Sequence, residues 1–207
     1  MSDNRKDSIV QFAAKKMREV GIRSVSIDDI CCELGISKKT FYVYFESKDR
    51  LVDEMLLLHE QKLERKMLRE VEGKTTMQIL QEWGPMARRN EKDIEQTPPI
   101  VYDLQKYYPD LFRQHKEHLC KAMYRSMVRF IKKGQTEGIF RKELNPELTA
   151  HLFSYAHYFM FETIQQYPKR RGEIADIGRQ GLDILIRGVL QPGVQFPVCD
   201  GAQNKKK

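Results

Sequence analysis

The first fifty residues carry their own helix stops and starts, and these constrain the fold more than any other feature. Gly21 and Gly35 stand where helices end in the left-handed conformation that glycine readily adopts. Ser26, Ser37 and Ser47 stand where a side-chain oxygen caps the next helix. A first helix is expected from about Asp3 to Val20, with Ile9, Phe12, Ala13, Met17 and Val20 on one face. The second is expected over Ile27–Leu34, with Ser26 and Asp29 forming a capping box and Ile27, Ile30, Cys31 and Leu34 buried. A very short third helix is expected over Lys38 to about Tyr44, and a long fourth from Lys48 to about Glu72.

Helical period continues through the remainder, with no run alternating at period two and no Asn-Gly or Asp-Gly hairpin turn. After the break at Gly73-Lys74-Thr75, a fifth helix is expected over Thr76 to about Glu95, bent at Gly84-Pro85. Pro98-Pro99 opens a sixth ending near Tyr107, and Pro109 a seventh reaching about Gln135. Asn145-Pro146 starts an eighth reaching about Tyr167, and the ninth spans about Glu173 to Leu190. The expectation is an all-α chain of about nine helices. Its segments are an N-terminal three-helix helix-turn-helix at 1–47, a helical region at 48–191, and a flexible basic tail at 192–207.

With 207 residues the chain has length enough for a sizeable core. Lysine and arginine number 36 against 29 acidic residues, a net charge of +7 that favours anionic partners without deciding among them. No apolar run reaches transmembrane length and the polar N-terminus has no signal-peptide pattern. None of the four cysteines (Cys31, Cys32, Cys120, Cys199) forms a CxxC pair, and a reducing cytoplasm fits.

Helix, glycine-containing turn and short helix is the helix-turn-helix arrangement, in which the second member of the pair offers its first turn to the DNA major groove. Here Ser37, Lys38, Lys39 and Thr40 supply donors and a methyl at that entry, and Phe41 and Phe45 face inward. Tyr42, Tyr44 and Lys48 fall beside the phosphates, with Lys48 in the first turn of the fourth helix. At these residues the sequence resembles the TetR (tetracycline-repressor-like) family of transcriptional regulators over about Ile9 to Leu51. The marks are Ile9, Ala13-Ala14, Gly21, Val25 to Ile30, Leu34-Gly35-Ile36-Ser37, Thr40-Phe41-Tyr42, Tyr44-Phe45, Lys48 and Leu51.

The resemblance implies a homodimer that binds a near-palindromic operator, usually as a repressor, and is released by a small molecule held in the C-terminal helical domain. It carries DNA contact to Ser26, Ser37, Lys38, Lys39, Thr40, Tyr42, Tyr44 and Lys48. Lys39 stands where the family often has a small residue, and either reads guanine O6/N7 or grips a phosphate.

A pocket is expected among the fifth to eighth helices from Trp83, Met86, Tyr102, Phe112, Tyr124, Met127, His151, Tyr155, Tyr158 and Phe159, suited to an apolar or aromatic effector. The eighth helix is apolar nearly all round from Ala150 to Phe161, and the ninth carries glycines along an apolar stripe. Both suit an intersubunit four-helix bundle, with Phe153, His157, Met160, Ile177, Gly178, Gly181, Leu185 and Gly188 at the interface. Cys31-Cys32 point about 100° apart on a helix, so Cys31 reads as a small core residue. His115, His118 and Cys120 have metal-ligating types, but Cys120 is off the face the histidines share and the segment reads as a solvated one. No catalytic constellation, metal or cofactor is expected. The alternatives are a DNA-binding regulator controlled by a protein partner, and a helical metal-dependent enzyme using His115/His118 and His151/His157.

Overall fold

The computed structural model describes residues 2–83 and 98–195. These form α1 (Ser2–Val20), α2 (Ile27–Leu34), α3 (Lys38–Tyr44), α4 (Lys48–Gly73), α5 (76–83 in its described part), α6 (Pro99–Tyr107), α7 (Pro109–Thr136), α8 (Pro146–Gln166) and α9 (Arg171–Val189). A 3-10 turn at Pro168–Arg170 leads into α9. The chain is all-α: among the described residues extended pairing is limited to one isolated bridge between Phe140 and Leu190. No helix among them is long and apolar enough to cross a membrane. The expected bend at Gly84-Pro85, Met86, Cys199 and most of the basic tail lie outside the described residues.

The caps act where the sequence places them. Ser26 Oγ accepts the Asp29 N–H at 3.0 Å, and the Asp29 carboxylate accepts the Ser26 N–H at 2.7 Å. The Ser26 hydroxyl and N–H hold the Asp29 carboxyl below its ordinary value. At the other end of α2, Gly35 takes φ 61°, and the N–H groups of Gly35 and Ile36 return to the Cys32 and Cys31 carbonyls at 3.2 and 3.0 Å. Ser37 Oγ then accepts the Thr40 N–H at 3.1 Å and starts α3. Three residues, Gly35, Ile36 and Ser37, thus separate a closed helix from a newly opened one.

The chain divides into two compact units, one of Met1–Leu63 with Gln96–Leu119 and one of Glu64–Glu95 with Cys120–Lys207. The first is larger than the expected segment 1–47: it takes in the first part of α4, all of α6 and the start of α7. Its core holds Ile9, Val10, Ala13 and Met17 of α1, Ile30 and Cys31 of α2, Phe41 of α3 and Phe45 just after it, Leu51, Val52 and Met55 of α4, and Leu104 of α6. Phe41 is fully buried and Phe45 is 2% exposed, so the inward face of α3 is fixed by two aromatic rings. Val20 is 43% exposed, because the buried stripe of α1 runs through Val10 instead.

The second unit is built around Val71, Ile79, Leu80, Phe130, Ile131, Phe140, Phe153, Ile186, Val189 and Leu190. Trp83 lies against Phe130 and Phe153 with ring centroids 5.0 and 6.3 Å apart. The end of α7 turns on Gly134, whose carbonyl accepts the N–H groups of Ile139 and Phe140 at 2.8 and 3.0 Å. The Phe140 ring folds back over Gly134 so closely that a β-carbon there would overlap it.

Candidate nucleic-acid interface

α3 is anchored by one face and open on the other. Its solvent side carries Lys38, Lys39, Tyr42 and Val43, with Tyr42 52% and Val43 73% exposed. Thr40 is half-buried, its hydroxyl 2.9 Å from that of Ser37. Tyr44 is half-buried against the first core.

The two lysines differ. Lys38 Nζ lies 2.7 Å from Asp28 Oδ1 on α2, and that carboxylate raises its pKa. Lys39 joins no ion pair among the described residues. This partition was not expected from the sequence. Its signal is an acidic residue in the first turn of α2 and a lysine in the first turn of α3, ten positions on and across a tight turn.

Lys48 occupies the first turn of α4 and is half-buried. Burial lowers its pKa, against the raising influence of Asp103 and Asp49. Asp103 on α6 is 9% exposed, and its Oδ2 accepts the Arg23 N–H at 2.9 Å in the turn between α1 and α2. Arg23 stacks over the Tyr107 ring at 4.6 Å. Burial and a hydrogen bond with Asp49 push Tyr108 up to about 12. α6 and the Tyr108 that caps it therefore supply Asp103, Tyr107 and Tyr108 to the edge of the unit where α1, α2 and α4 meet, a contribution that local sequence patterns do not reveal. Ser26, with its hydroxyl held by Asp29, lies on that same α1–α2 side.

The expected pocket residues are divided. Tyr102 and Phe112 belong to the first unit, with Tyr102 56% exposed on α6 and Phe112 packed on the first core. Trp83, Tyr124, Met127, His151, Tyr155, Tyr158 and Phe159 belong to the second. There Tyr124 stacks on His151 at 4.3 Å and His151 on Tyr155 at 5.8 Å, forming a column of three rings across α7 and α8. Met127 and Trp83 pack on the second core, while Phe159 is 71% exposed.

The expected interface residues also separate by environment. Phe153 is buried, and Leu185 packs on the core of its own chain, so these two side chains face inward. Gly178 lies against Met160, whose sulfur would overlap a β-carbon at that position. His157, Ile177, Gly181 and Gly188 remain toward open space. The open stripe of α9 is Ile177, Gly181, Ile184 and Gly188, at spacings of four, three and four; Ile177 is 59% and Ile184 69% exposed. α8 adds an open stripe at the same spacing: Leu148, Leu152, Tyr155 and Phe159.

His115 is buried rather than on a solvated face. Its Nδ1 is 2.7 Å from Glu60 Oε1, His118 Nδ1 is 2.9 Å from Glu60 Oε2, and His59 Nδ1 is 3.3 Å from His115 Nε2. One carboxylate on α4 thus bridges two imidazoles of α7. Among the described residues no group of three or more histidine, cysteine, aspartate or glutamate side chains is arranged to hold a metal ion. Cys31 is buried, and burial followed by Asp28 raises its thiol pKa, which suits a core residue.

The sequence profile of the bacterial regulatory proteins of the tetR family matches residues 9–55, from α1 into α4. The chain is 23% identical over 196 residues to the HTH-type transcriptional repressor KstR2 of Mycobacterium tuberculosis, covering 93% of this chain and 96% of that protein. The KstR2 of Mycolicibacterium smegmatis is 24% identical over 200 residues, covering 91% and 92%. Among solved structures, a TetR-family regulator from Cytophaga hutchinsonii matches with TM-score 0.65 at 18% identity, over 91% of this chain and 96% of that one. SmeT, the repressor of the Stenotrophomonas maltophilia multidrug efflux pump SmeDEF, matches with TM-score 0.63 at 13% identity, over 94% and 95%. These structures share the fold. The helix-turn-helix geometry, the matched profile and the relatives lead to one conclusion: residues 9–55 match the segment that marks the bacterial regulatory proteins of the tetR family, and the chain is similar over most of its length to HTH-type transcriptional repressors.

Proposed function

We propose that the protein is a repressor that binds a near-palindromic operator as a homodimer and leaves it when a small molecule binds the second unit. The observation that carries the reading is the two-sidedness of α3: Phe41 buried behind it, Lys39, Tyr42 and Val43 open in front. A helix so anchored enters a major groove with its first turn foremost. Ser37, Lys38, Lys39 and Thr40 meet the groove, Tyr42 and Tyr44 the flanking backbone, and Ser26 and Lys48 the phosphates at the N-termini of α2 and α4. The relatives described as repressors support repression as the sign of control.

Dimerisation is supported by the open apolar stripes of α8 and α9, which in an isolated chain leave Leu148, Leu152, Ile177 and Ile184 in water. Covering them with a second copy seats His157, Met160, Ile177, Gly178, Gly181 and Gly188 near the two-fold axis. Two recognition helices then stand about 34–36 Å apart, one turn of DNA. The column Tyr124, His151, Tyr155 and the cluster around Trp83 favour an apolar or aromatic effector in the second unit. The effector acts only through its different affinity for the DNA-bound and DNA-free states, so operator weakens effector binding by the same factor that effector weakens operator binding.

Selection from a random duplex library, followed by anisotropy titration of the enriched duplex across salt concentrations, tests the reading. A near-palindromic site with a steep salt dependence, weakened by Lys39→Ala, is the expected result. An unstructured, non-repeating set of enriched duplexes, or a stoichiometry of one chain per site, overturns it.

A further inference from the structure

Val43 is the most exposed large apolar side chain among the described residues of the first unit, at 73%. It sits in the middle of α3, in a helix of seven residues whose opposite face is fully buried. A β-branched residue at an exposed helical position is disfavoured by propensity, and here it packs on neither core. Local stability therefore does not account for it. Nor does a grip on the DNA backbone, since an isopropyl group offers phosphate no donor.

What an exposed isopropyl group can recognise in a major groove is the C5-methyl of thymine, the one apolar feature on any base edge there. The neighbouring cation strengthens this assignment. Lys39 precedes Val43 by four residues, on the same edge of α3. Lys38 is held by Asp28, whereas Lys39 carries no ion-pair partner among the described residues. Four residues of α-helix advance about 6 Å, close to two steps of about 3.4 Å along a DNA strand. The edge of α3 thus offers an ammonium donor and then an apolar knob, within reach of neighbouring base pairs.

We propose that Val43 is a specificity-determining residue that packs on a thymine methyl, one or two base pairs from a guanine whose O6/N7 edge is taken by Lys39. This rests on the placement of α3 in the major groove proposed above.

Single-atom-group substitution in the DNA tests it. Each thymine of the selected duplex is replaced in turn by deoxyuridine, which removes only the methyl, and affinity is measured for the full-length wild type, Val43→Ala and Lys39→Ala. At one thymine in each half-site, the wild type is expected to lose about 3- to 5-fold in affinity, the size of one buried methyl. Val43→Ala is expected to bind the thymine and deoxyuridine forms of that position equally well, while Lys39→Ala keeps the methyl preference and loses discrimination at the adjacent guanine. A flat deoxyuridine series, or a penalty that persists unchanged in Val43→Ala, overturns the proposal while leaving α3 in the groove. If no duplex is enriched, or if Lys39→Ala and Val43→Ala both bind like the wild type, the placement of α3 fails and the proposal falls with it. Because Val43 is exposed, Val43→Ala is expected to keep the wild-type circular dichroism spectrum and thermal midpoint.

Discussion

Asp103 Oδ2 accepts the backbone N–H of Arg23 at 2.9 Å, so a residue on α6 holds the turn between α1 and α2 across eighty positions of sequence. The same oxygen would stand 2.8 Å from a β-carbon at Gly21, where φ is +89°. Asp103→Ala leaves that N–H without its acceptor in a largely buried setting, with an expected loss of about 1–3 kcal/mol in stability by urea titration. Asp103→Asn keeps an oxygen acceptor and is expected to lose less. Gly21→Ala is expected to be destabilising as well, through positive φ and the crowding against Asp103 together.

The pairing of Lys38 with Asp28 makes a prediction about charge at the surface proposed to face DNA. Asp28→Asn removes an anion beside α3 and frees the Lys38 ammonium. Operator affinity is expected to rise several-fold at low salt, with the slope of log affinity against log salt steepening by up to about 0.9, the effect of one further phosphate contact. Titration by anisotropy at several salt concentrations reads both quantities. An unchanged slope means Lys38 stays clear of phosphate even when released.

Gly134 sets helix propensity against packing. Replacing a helical glycine by alanine ordinarily gains about 1 kcal/mol. At Gly134 the new methyl would overlap the ring of Phe140, which is 1% exposed and packs edge-on to Phe130 with centroids 5.2 Å apart. Overpacking in a well-filled core costs about 1–3 kcal/mol. Gly134→Ala is therefore expected to lower the denaturation midpoint, and Gly134→Ala combined with Phe140→Leu to be less unstable than the sum of the two single changes.

His59 gives a pH dependence whose sign follows from its surroundings. Its ring keeps one edge in solvent, but desolvation of the rest, and after it the neighbouring His115, lower its pKa below the ordinary 6.5; Arg18 and Lys62 act the same way, while Glu60 opposes them. With the folded value below the unfolded one, the unfolded chain binds the proton more readily. This contribution leaves stability unaffected above about pH 6.5 and lowers it as pH falls from there through the folded pKa. Thermal midpoints measured between pH 7.5 and 5.5 are expected to fall more for the wild type than for His59→Gln.

Local signals were legible in the sequence and long-range ones were not. Ser26, Gly35, Ser37 and the Asn145-Pro146 pair each act within three or four residues, and α2, α3 and the start of α8 lie where those signals put them. The open stripe of α9 was legible only in part: Ile177, Gly181 and Gly188 lie on it, as their spacing suggests, but Ile184 was missed, and Gly178 and Leu185 pack within their own chain. A helix with apolar residues and glycines on several sides has no single preferred face, and here Met160 against Gly178 decides which face is covered. Asp103 in the turn of α1–α2 and Glu60 between His115 and His118 join positions more than fifty apart, which no periodicity encodes. Reading α3 for hydrogen-bonding groups also passes over Val43, whose significance lies in its exposure.

The route of the chain through the first unit has a further consequence, for the order of synthesis. Leu104 fills the same core as Ile30 and Phe41, yet it leaves the ribosome more than sixty residues after either of them. Helices α1 to α3 therefore emerge with their matching portion of the core still unmade, and the DNA-binding unit completes itself only once translation has passed Leu119 and that stretch has cleared the exit tunnel. A nascent chain stalled before α6 would present a recognition helix on an unfinished support, so competence to bind DNA arrives late in the making of the protein although its residues are made first.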